Sequence, residues 1–523
     1  MKLKFSNDKS KIILTEASNR EIHQLKLWLI RYAKNYRFMQ KFKLGVWDGK
    51  IDHFKDGYIR FGLWQEVYKC CKEYEYKFDI PKEDFPFDNK ITIDNVQKFS
   101  DEFYHGYRTL KTKDDPEGKE FKPYDHQINS VFKMLKYKFG LIEVATAGGK
   151  SLIFGTFLFY YLKNINPNGK ILLVVPNVSL VLQFHDDILD YNFGYNKENK
   201  NPFDLKIHEI MSDKPRKYRG EGEPNIYIGT YQSIEKYPET WLRQFDIVVT
   251  DEAHTCTAIT LEKILSTTFG SAKYRLGMSG TYPNEESAEF LSIISLMGPK
   301  LLTVGSKVLR EKNIISDVKI KIILLNHNDQ RFADSISVIK KSGNGQKAYQ
   351  LEKDYIQASS LRREFIFKLV NRFEQNSLLL FYNVDYGEIM FNYLKDNLIK
   401  KDLYYIDGGT SSDKRSHILK EMEKTDGNTK ILCASFGTLS TGINVKAISN
   451  IVFMDSFKSD RIIRQSIGRG LRLHFEKRKL HVFDLVDIFH KTYKNTLYKH
   501  YESRRDEIYK KQEFPYDEMK IVL

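Results

Sequence analysis

The sequence predicts an α/β protein: two tandem parallel-sheet domains preceded by a small α/β domain. Three observations carry that expectation. From about residue 121 onward, short runs apolar on both faces alternate with helical stretches, the texture of βαβ units around buried parallel strands. The alternation begins again near residue 320 and gives two series of about 170–190 residues each. The residues before 106 differ, with Asp-Gly pairs between strand-like runs and a dense basic charge. A chain of 523 residues has room for about three or four domains.

Residues 1–105 read as the small domain. Ser18 and Glu21 form a capping box ahead of Ile22, Leu25 and Leu29, which share one helical face. Asp48-Gly49 and Asp56-Gly57 lie between the strand-like runs Phe42–Trp47, Ile51–Phe54 and Tyr58–Leu63, which predicts a β-meander with tight turns. The first fifty residues hold twelve Lys/Arg against four Asp/Glu. A basic face carrying Tyr36, Phe38, Phe42 and Trp47 suits a phosphate backbone and stacked bases. The same aromatics would equally serve as the core of a small domain.

Residues 106–120 are polar and read as a linker into the first large domain, 106–310. Its expected strands are Gly140–Val144, Ile171–Val175, Ile226–Ile228, Ile247–Val249 and Leu276–Met278. The second large domain, 311–490, is expected to hold strands at Lys319–Leu325, Ser377–Phe381, Leu403–Ile406, Lys430–Ala434, Ile451–Met454 and His481–Leu485. Residues 491–523 look helical and charged, with an extended end at Met519–Leu523.

Bulk properties narrow the function. The net charge of +15 favours an anionic partner such as nucleic acid. The four cysteines form no CxxC pair and have no neighbouring His at ligand spacing, so neither a disulfide frame nor a zinc site is expected. No apolar run approaches the roughly 20 residues that span a bilayer. Met1-Lys2-Leu3-Lys4 leads into a strand-like stretch rather than a signal peptide. A cytoplasmic location and no membrane partner are the expectations.

Two elements point to phosphate chemistry. Val144-Ala145-Thr146-Ala147-Gly148-Gly149-Lys150-Ser151 joins a strand to the expected helix Leu152–Leu162. A Gly-rich turn there offers backbone N–H groups and a helix N-terminus to a triphosphate. Lys150 can reach the β and γ phosphates, and the Ser151 hydroxyl can ligate Mg²⁺. Val144 stands where the strict phosphate-loop pattern has its first Gly. Asp251 and Glu252 follow Val248-Val249-Thr250 at a strand end, where ligands bind in parallel sheets. Asp251 is expected to hold Mg²⁺ and Glu252 to orient or deprotonate the attacking water.

The order of motifs over residues 121–475 resembles a superfamily two helicase of the DEAH/DExH type. That resemblance implies two RecA-like domains, ATP with Mg²⁺ as cofactors, and a nucleotide site shared by both domains. Phe121 to Gln127 resembles the Q motif, in which Gln127 would read the adenine edge and Tyr124 would also bind the cofactor; Thr146 to Ser151 would cradle the phosphates. Pro176, Asn177, Ser179 and Gln183 resemble motif Ia, and Gly229-Thr230 the next strand-tip motif, all expected to bind nucleic acid. His254, Ser279 and Thr281 would couple hydrolysis to domain movement. Thr441 and Gly442 resemble motif V, for nucleic acid and nucleotide respectively. Gln465, Arg469 and Arg472 resemble motif VI, with the arginines neutralising the γ phosphate. Ala147 stands where relatives often carry Gly or Ser, and Asn444 where many carry Asp.

Ser179, Thr230 and Thr441 are small hydroxyl residues suited to phosphate oxygens, which carry no base identity, so salt-sensitive binding without sequence preference is expected. Within the superfamily, the likeness is to phage helicases that handle branched recombination and replication intermediates. It rests on Gly45 to Ile51, Phe61 to Leu63 and Ala434 to Gly442. It implies unwinding, branch migration or annealing of branched, duplex or single-stranded DNA, removal of RNA–DNA hybrids, and action as a monomer or weak oligomer. Two alternatives stay open: a duplex translocase without strand separation, and an ATP-gated nucleic-acid clamp.

Overall fold

The computed structural model describes every residue except 9, 56, 80–84, 86, 113–114, 199–202, 204, 213–219, 221, 257–258, 269, 425, 441–447, 456–462, 464–465, 469–478 and 491–494. The chain divides into two compact units: Met1–Ala145 with Gly149–Val304, and Gly305–Leu523 with Thr146–Gly148.

The first unit opens with strands β1 (Lys2–Phe5) and β2 (Lys11–Thr15), helix Asn19–Trp28, and strands β3 (Ile30–Tyr32), β4 (Lys50–Asp52), β5 (Phe54–Lys55) and β6 (Tyr58–Arg60). The helix starts at Ser18, whose Oγ accepts from the Glu21 N–H while the Glu21 carboxylate accepts from the Ser18 N–H, so the predicted capping box is present. Strands β1, β2, β6 and β5 form one antiparallel sheet, and β3 pairs with β4. The strands expected to flank Asp56-Gly57 pair antiparallel, with Phe54 opposite Ile59 and Lys55 opposite Tyr58; Asp56 itself lies outside the described residues.

The strand expected at Phe42–Trp47 is not. Residues Gln40–Lys43 are helical, and Gly45 has a φ of +68°. Alternation of the apolar residues Phe42, Leu44 and Val46 mimics a strand period, but the Leu44 N–H bonds to Gln40 O and the Val46 N–H to Lys41 O, which coils the segment. The stretch read as a linker also has structure: β7 (Thr109–Thr112) pairs antiparallel with β8 (Asp115–Glu120).

The rest of the first unit is a seven-stranded parallel sheet. Its strands are β9 (Phe139–Val144), β10 (Ile171–Val175), β11 (Ile207–Ile210), β12 (Ile226–Thr230), β13 (Ile247–Asp251), β14 (Tyr274–Ser279) and β15 (Lys300–Val304), in the order β11-β12-β10-β13-β14-β9-β15. Every residue of β10, β12, β13 and β14 is buried, as central strands covered by helices on both faces must be. Helix Lys150–Asn164 is apolar all round, with every residue from Leu152 to Leu162 buried, the mark of a helix enclosed by other elements. The small domain shares this core: Phe5, Phe61, Leu63 and Val67 belong to one buried cluster with Phe139, Leu291 and Ile294.

The second unit holds another seven-stranded parallel sheet: β16 (Asp317–Asn326), β17 (Ser377–Phe381), β18 (Lys401–Ile406), β19 (Thr429–Ser435), β20 (Asn450–Phe453), β21 (Lys479–Ile488) and β22 (Tyr516–Val522), ordered β18-β19-β17-β20-β21-β16-β22. The extended chain end is thus an edge strand, paired with β16 from Ile320–Tyr516 to Asn326–Val522. A buried cluster ties helix Ser360–Asn371 to the sheet. Arg362 donates to both Asp487 oxygens at 2.8 and 3.0 Å, to Met454 O at 2.7 Å and to Tyr386 Oη.

Candidate nucleotide site

Parallel pairing brings the predicted motifs of the first unit to one edge of its sheet. Val175 lies opposite Thr230, Val174 opposite Thr250, Asp251 opposite Met278, and Ser279 opposite Glu143. The C-terminal ends of β10, β12, β13 and β14 therefore carry, side by side, Pro176-Asn177, Thr230, Asp251-Glu252 and Ser279, and β9 ends beside them at Val144, five residues before Gly149 opens the next helix. This is the edge at which open α/β sheets bind ligands.

Helix Lys150–Asn164 begins directly after Gly149, which adopts a φ of +85°. A Cβ at Gly149 would stand 2.2 Å from the Gln127 amide nitrogen, so Gly149 serves both the left-handed turn and the close approach of Gln127. Gln127 is buried, and its Oε1 accepts from the Tyr124 N–H at 2.8 Å. Its amide thus braces the loop. Tyr124 is exposed and stacks beside His126 at 5.9 Å. Ala147, at the position noted as unusual, has a φ of +68°, a conformation that costs a non-glycine residue roughly 1–2 kcal/mol.

Ser151 Oγ lies 3.3 Å from the hydroxyl of Tyr191, a buried residue of helix Val178–Glu198. Nothing local in the sequence singles out Tyr191; its role follows from helix packing alone. Tyr104, whose hydroxyl meets Thr156 Oγ1 at 2.9 Å, and Tyr107, which donates to Asp190, extend the same aromatic cluster.

At the tip of β13, Asp251 is only 3% exposed, and its Oδ1 has no hydrogen-bond partner. Burial, together with the neighbouring Glu252 charge, pushes its carboxyl well above the usual range. A buried carboxylate oxygen without a hydrogen-bond partner fits a hard divalent cation that keeps most of its ligands as water and phosphate. Among the described residues no group of three or more His, Cys, Asp or Glu side chains could hold a metal ion.

Glu252 has a φ of +51°, a left-handed turn at the strand end of the strained kind that collects at functional sites. Burial would raise its carboxyl, but the His254 imidazole, the Lys150 charge and Ser279 outweigh burial and hold it ionised. His254 Nδ1 lies 3.2 Å from Glu252 Oε2 and 2.9 Å from Ser279 Oγ. Ser279 Oγ donates to Thr281 O at 2.8 Å and stands 3.3 Å from Glu252 Oε2. The predicted coupling residues His254, Ser279 and Thr281 therefore form one chain of contacts on Glu252.

The predicted nucleic-acid residues sit at adjacent tips. Asn177 Oδ1 accepts from the Leu180 N–H at 3.0 Å at the start of the helix carrying Ser179 and Gln183. Thr230 Oγ1 donates to Ser233 at 3.0 Å, and Gly229 is packed so closely that a Cβ would meet Ile210 at 2.7 Å. Thr441, Gly442, Gln465, Arg469 and Arg472 lie outside the described residues. Among the described residues that line a concavity of about 870 Å³ in the second unit, Phe391, Tyr405 and His417 included, none is a predicted site residue.

Comparison with known proteins now bears on this arrangement. The chain is 30% identical over 472 residues to the ATP-dependent DNA helicase uvsW of Enterobacteria phage T4, covering 89% of this chain and 86% of that one. The chain belongs to the UvsW family of DNA helicases. The UvsW N-terminal profile matches residues 1–81, the profile of the type III restriction enzyme res subunit 120–284, and the helicase conserved C-terminal profile 361–474. Like other members, the UvsW-type chain carries ATP-dependent helicase domains and uses ATP. Among solved structures, Mss116p bound to single-stranded RNA and AMP-PNP aligns with a TM-score of 0.53 at 17% identity, covering 82% of this chain and 80% of that one. The type ISP restriction-modification enzyme LlaBIII bound to DNA aligns with a TM-score of 0.53 at 13% identity, over 77% of this chain and 32% of that one. Both share the tandem-sheet fold. Among the described residues no helix is long and apolar enough to cross a membrane.

Proposed function

We propose that this UvsW-family helicase uses ATP to remodel branched DNA and RNA–DNA hybrids, by unwinding, branch migration or annealing, in the cytoplasm of a phage-infected host. The observation that carries the site assignment is the convergence of the phosphate loop, Asp251-Glu252 and the His254–Ser279–Thr281 contacts at one sheet edge.

In this reading Lys150 and the Thr146–Gly149 backbone bind the triphosphate, with Tyr124 at the base and Gln127 bracing the loop. Ser151 and Asp251 would hold Mg²⁺, which screens phosphate charge when bound. Glu252, held ionised, accepts a proton from the attacking water. Through its contact with Ser279, His254 keeps the Glu252 carboxylate aimed. Gln465, Arg469 and Arg472, with Gly442, act on the nucleotide, the arginines balancing the charge that develops on the γ phosphate. Pro176, Asn177, Ser179, Gln183, Gly229, Thr230 and Thr441 hold the sugar–phosphate backbone.

The restriction-subunit profile covers only residues 120–284, whereas the UvsW N-terminal match lies outside that core. That favours strand-separating work on branches over duplex translocation. The test is ATP hydrolysis and strand separation on single-stranded DNA, duplex, fork, four-way junction and R-loop. Glu252→Gln is expected to retain ATP and DNA while hydrolysis falls at least ~100-fold. Hydrolysis at the unsubstituted rate removes Glu252 from the mechanism, and equal rates on all five substrates remove the branched preference.

A further inference from the structure

The loop Ala33–Gly49, which joins β3 to β4, is ordered yet turns apolar side chains outward. Its backbone is closed by the Ala33 N–H to Gly49 O at 2.9 Å, Leu44 N–H to Gln40 O at 2.9 Å and Val46 N–H to Lys41 O at 3.0 Å. Tyr36 covers Gly49, where a Cβ would meet its ring at 2.2 Å, and Phe42 packs edge-on against Tyr36 at 4.9 Å. Trp47 Nε1 donates to Lys50 O at 2.8 Å. Three of the four aromatics singled out in the sequence are thus half-buried fastenings of the loop. Phe38, by contrast, is 77% exposed, with Leu44 at 75% and Val46 at 76%.

Single exposed apolar residues are ordinary; three in one well-bonded loop mark a contact surface. The charge around them says what kind. Lys34, Arg37, Lys41 and Lys43 are all exposed, and the one acid, Asp48, accepts from the Lys50 N–H at 3.0 Å. Cations around an apolar tip match phosphates around an opened base step, where apolar side chains insert and unstack.

The mounting of the loop gives it a path to the motor. His53, just past β4, lies 3.3 Å from Ser292 Oγ, and Arg60 donates to Glu262 at 3.0 Å. Ser292 belongs to helix Ala288–Met297, the first helix after Ser279-Gly280-Thr281. Thus the hairpin base rests on the element that follows the coupling residues.

We propose that the Ala33–Gly49 loop is a wedge: Phe38, Leu44 and Val46 enter the branch point of a DNA fork or junction while the surrounding lysines and arginine hold its phosphates. This rests on the DNA-helicase reading above.

The experiment uses the full chain and a fork carrying 2-aminopurine at the branch or deep in the duplex arm. The unsubstituted protein is expected to raise fluorescence at the branch and not inside the arm. Leu44→Ser/Val46→Ser should lose that rise and unwind the fork about 10-fold more slowly, with fork affinity changed less than about 3-fold. Lys41→Glu/Lys43→Glu should instead weaken binding to every DNA and reduce the salt slope by roughly 2. A Leu44→Ser/Val46→Ser protein that keeps the branch signal and the unwinding rate overturns the wedge. So does an apolar variant that loses only capture of another protein. DNA-stimulated ATP hydrolysis by the unsubstituted protein separates the two failures: its absence sinks the helicase reading, while its presence beside unaltered variant unwinding sinks the wedge alone.

Discussion

Gly62→Ala is the sharpest test of how the small domain is fastened to the motor. Gly62 follows β6 and faces helix Ala288–Met297. An added Cβ would lie 2.1 Å from Ile294 O and 2.7 Å from Ser295 O. Both are backbone atoms of a helix, so no flexible side-chain end can swing aside. Its φ is not in the left-handed region, and the penalty is therefore steric. Overpacking of this kind costs roughly 1–3 kcal/mol. Local opening should then speed hydrogen exchange by roughly 5- to 150-fold, at about 1.4 kcal/mol per tenfold. Exchange mass spectrometry on Tyr58–Arg60 and on helix Ala288–Met297 reads this directly. Gly408→Ala is the control, since nothing lies within 4 Å of its added Cβ. Unchanged exchange in both segments of Gly62→Ala would refute the close docking and, with it, the path from wedge to motor.

Two further outcomes follow from named strains and charges. Ala147→Gly relieves a left-handed alanine worth roughly 1–2 kcal/mol but adds unfolded-chain entropy of roughly 0.4–1 kcal/mol. Its thermal unfolding should occur at or above the unsubstituted temperature, whereas Ala147→Val should unfold lower. Arg362→Ala leaves Asp487 buried without its guanidinium partner and should cost about 3–5 kcal/mol. Burial alone would raise the Asp487 carboxyl, yet Arg362 and His327 hold it down to about 2, against an ordinary value of 3.8. The stabilisation from that pair is therefore complete above pH 3.8 and is lost as pH falls towards 2. An acid titration followed by circular dichroism should show Arg362→Ala unfolding at a higher pH than the unsubstituted protein; coincident curves would deny the pair its role.

The sequence disclosed central elements more readily than edges, for a physical reason. Strands β10, β12, β13 and β14 are covered on both faces and so read as unbroken apolar runs. Strand β11 alternates buried and half-buried residues, β15 is largely half-buried, and β22 is mostly exposed. With one neighbour each they need fewer apolar residues, and their pairing depends on distant strands. Motif residues were legible because phosphate chemistry restricts which side chains can serve. Tyr191 was not, since its meeting with Ser151 Oγ depends on the packing of two helices. The strand expected over Phe42–Trp47 is absent because Gly45 permits a turn that the alternation of Phe42, Leu44 and Val46 conceals.

The central claim is that hydrolysis at this strand-tip site drives the work on DNA, and Lys150→Ala tests it most directly. ATP hydrolysis and junction unwinding should both fall by roughly 10²–10³ while junction binding without nucleotide persists. Hydrolysis near the unsubstituted rate, or unwinding that survives its loss, would contradict the account.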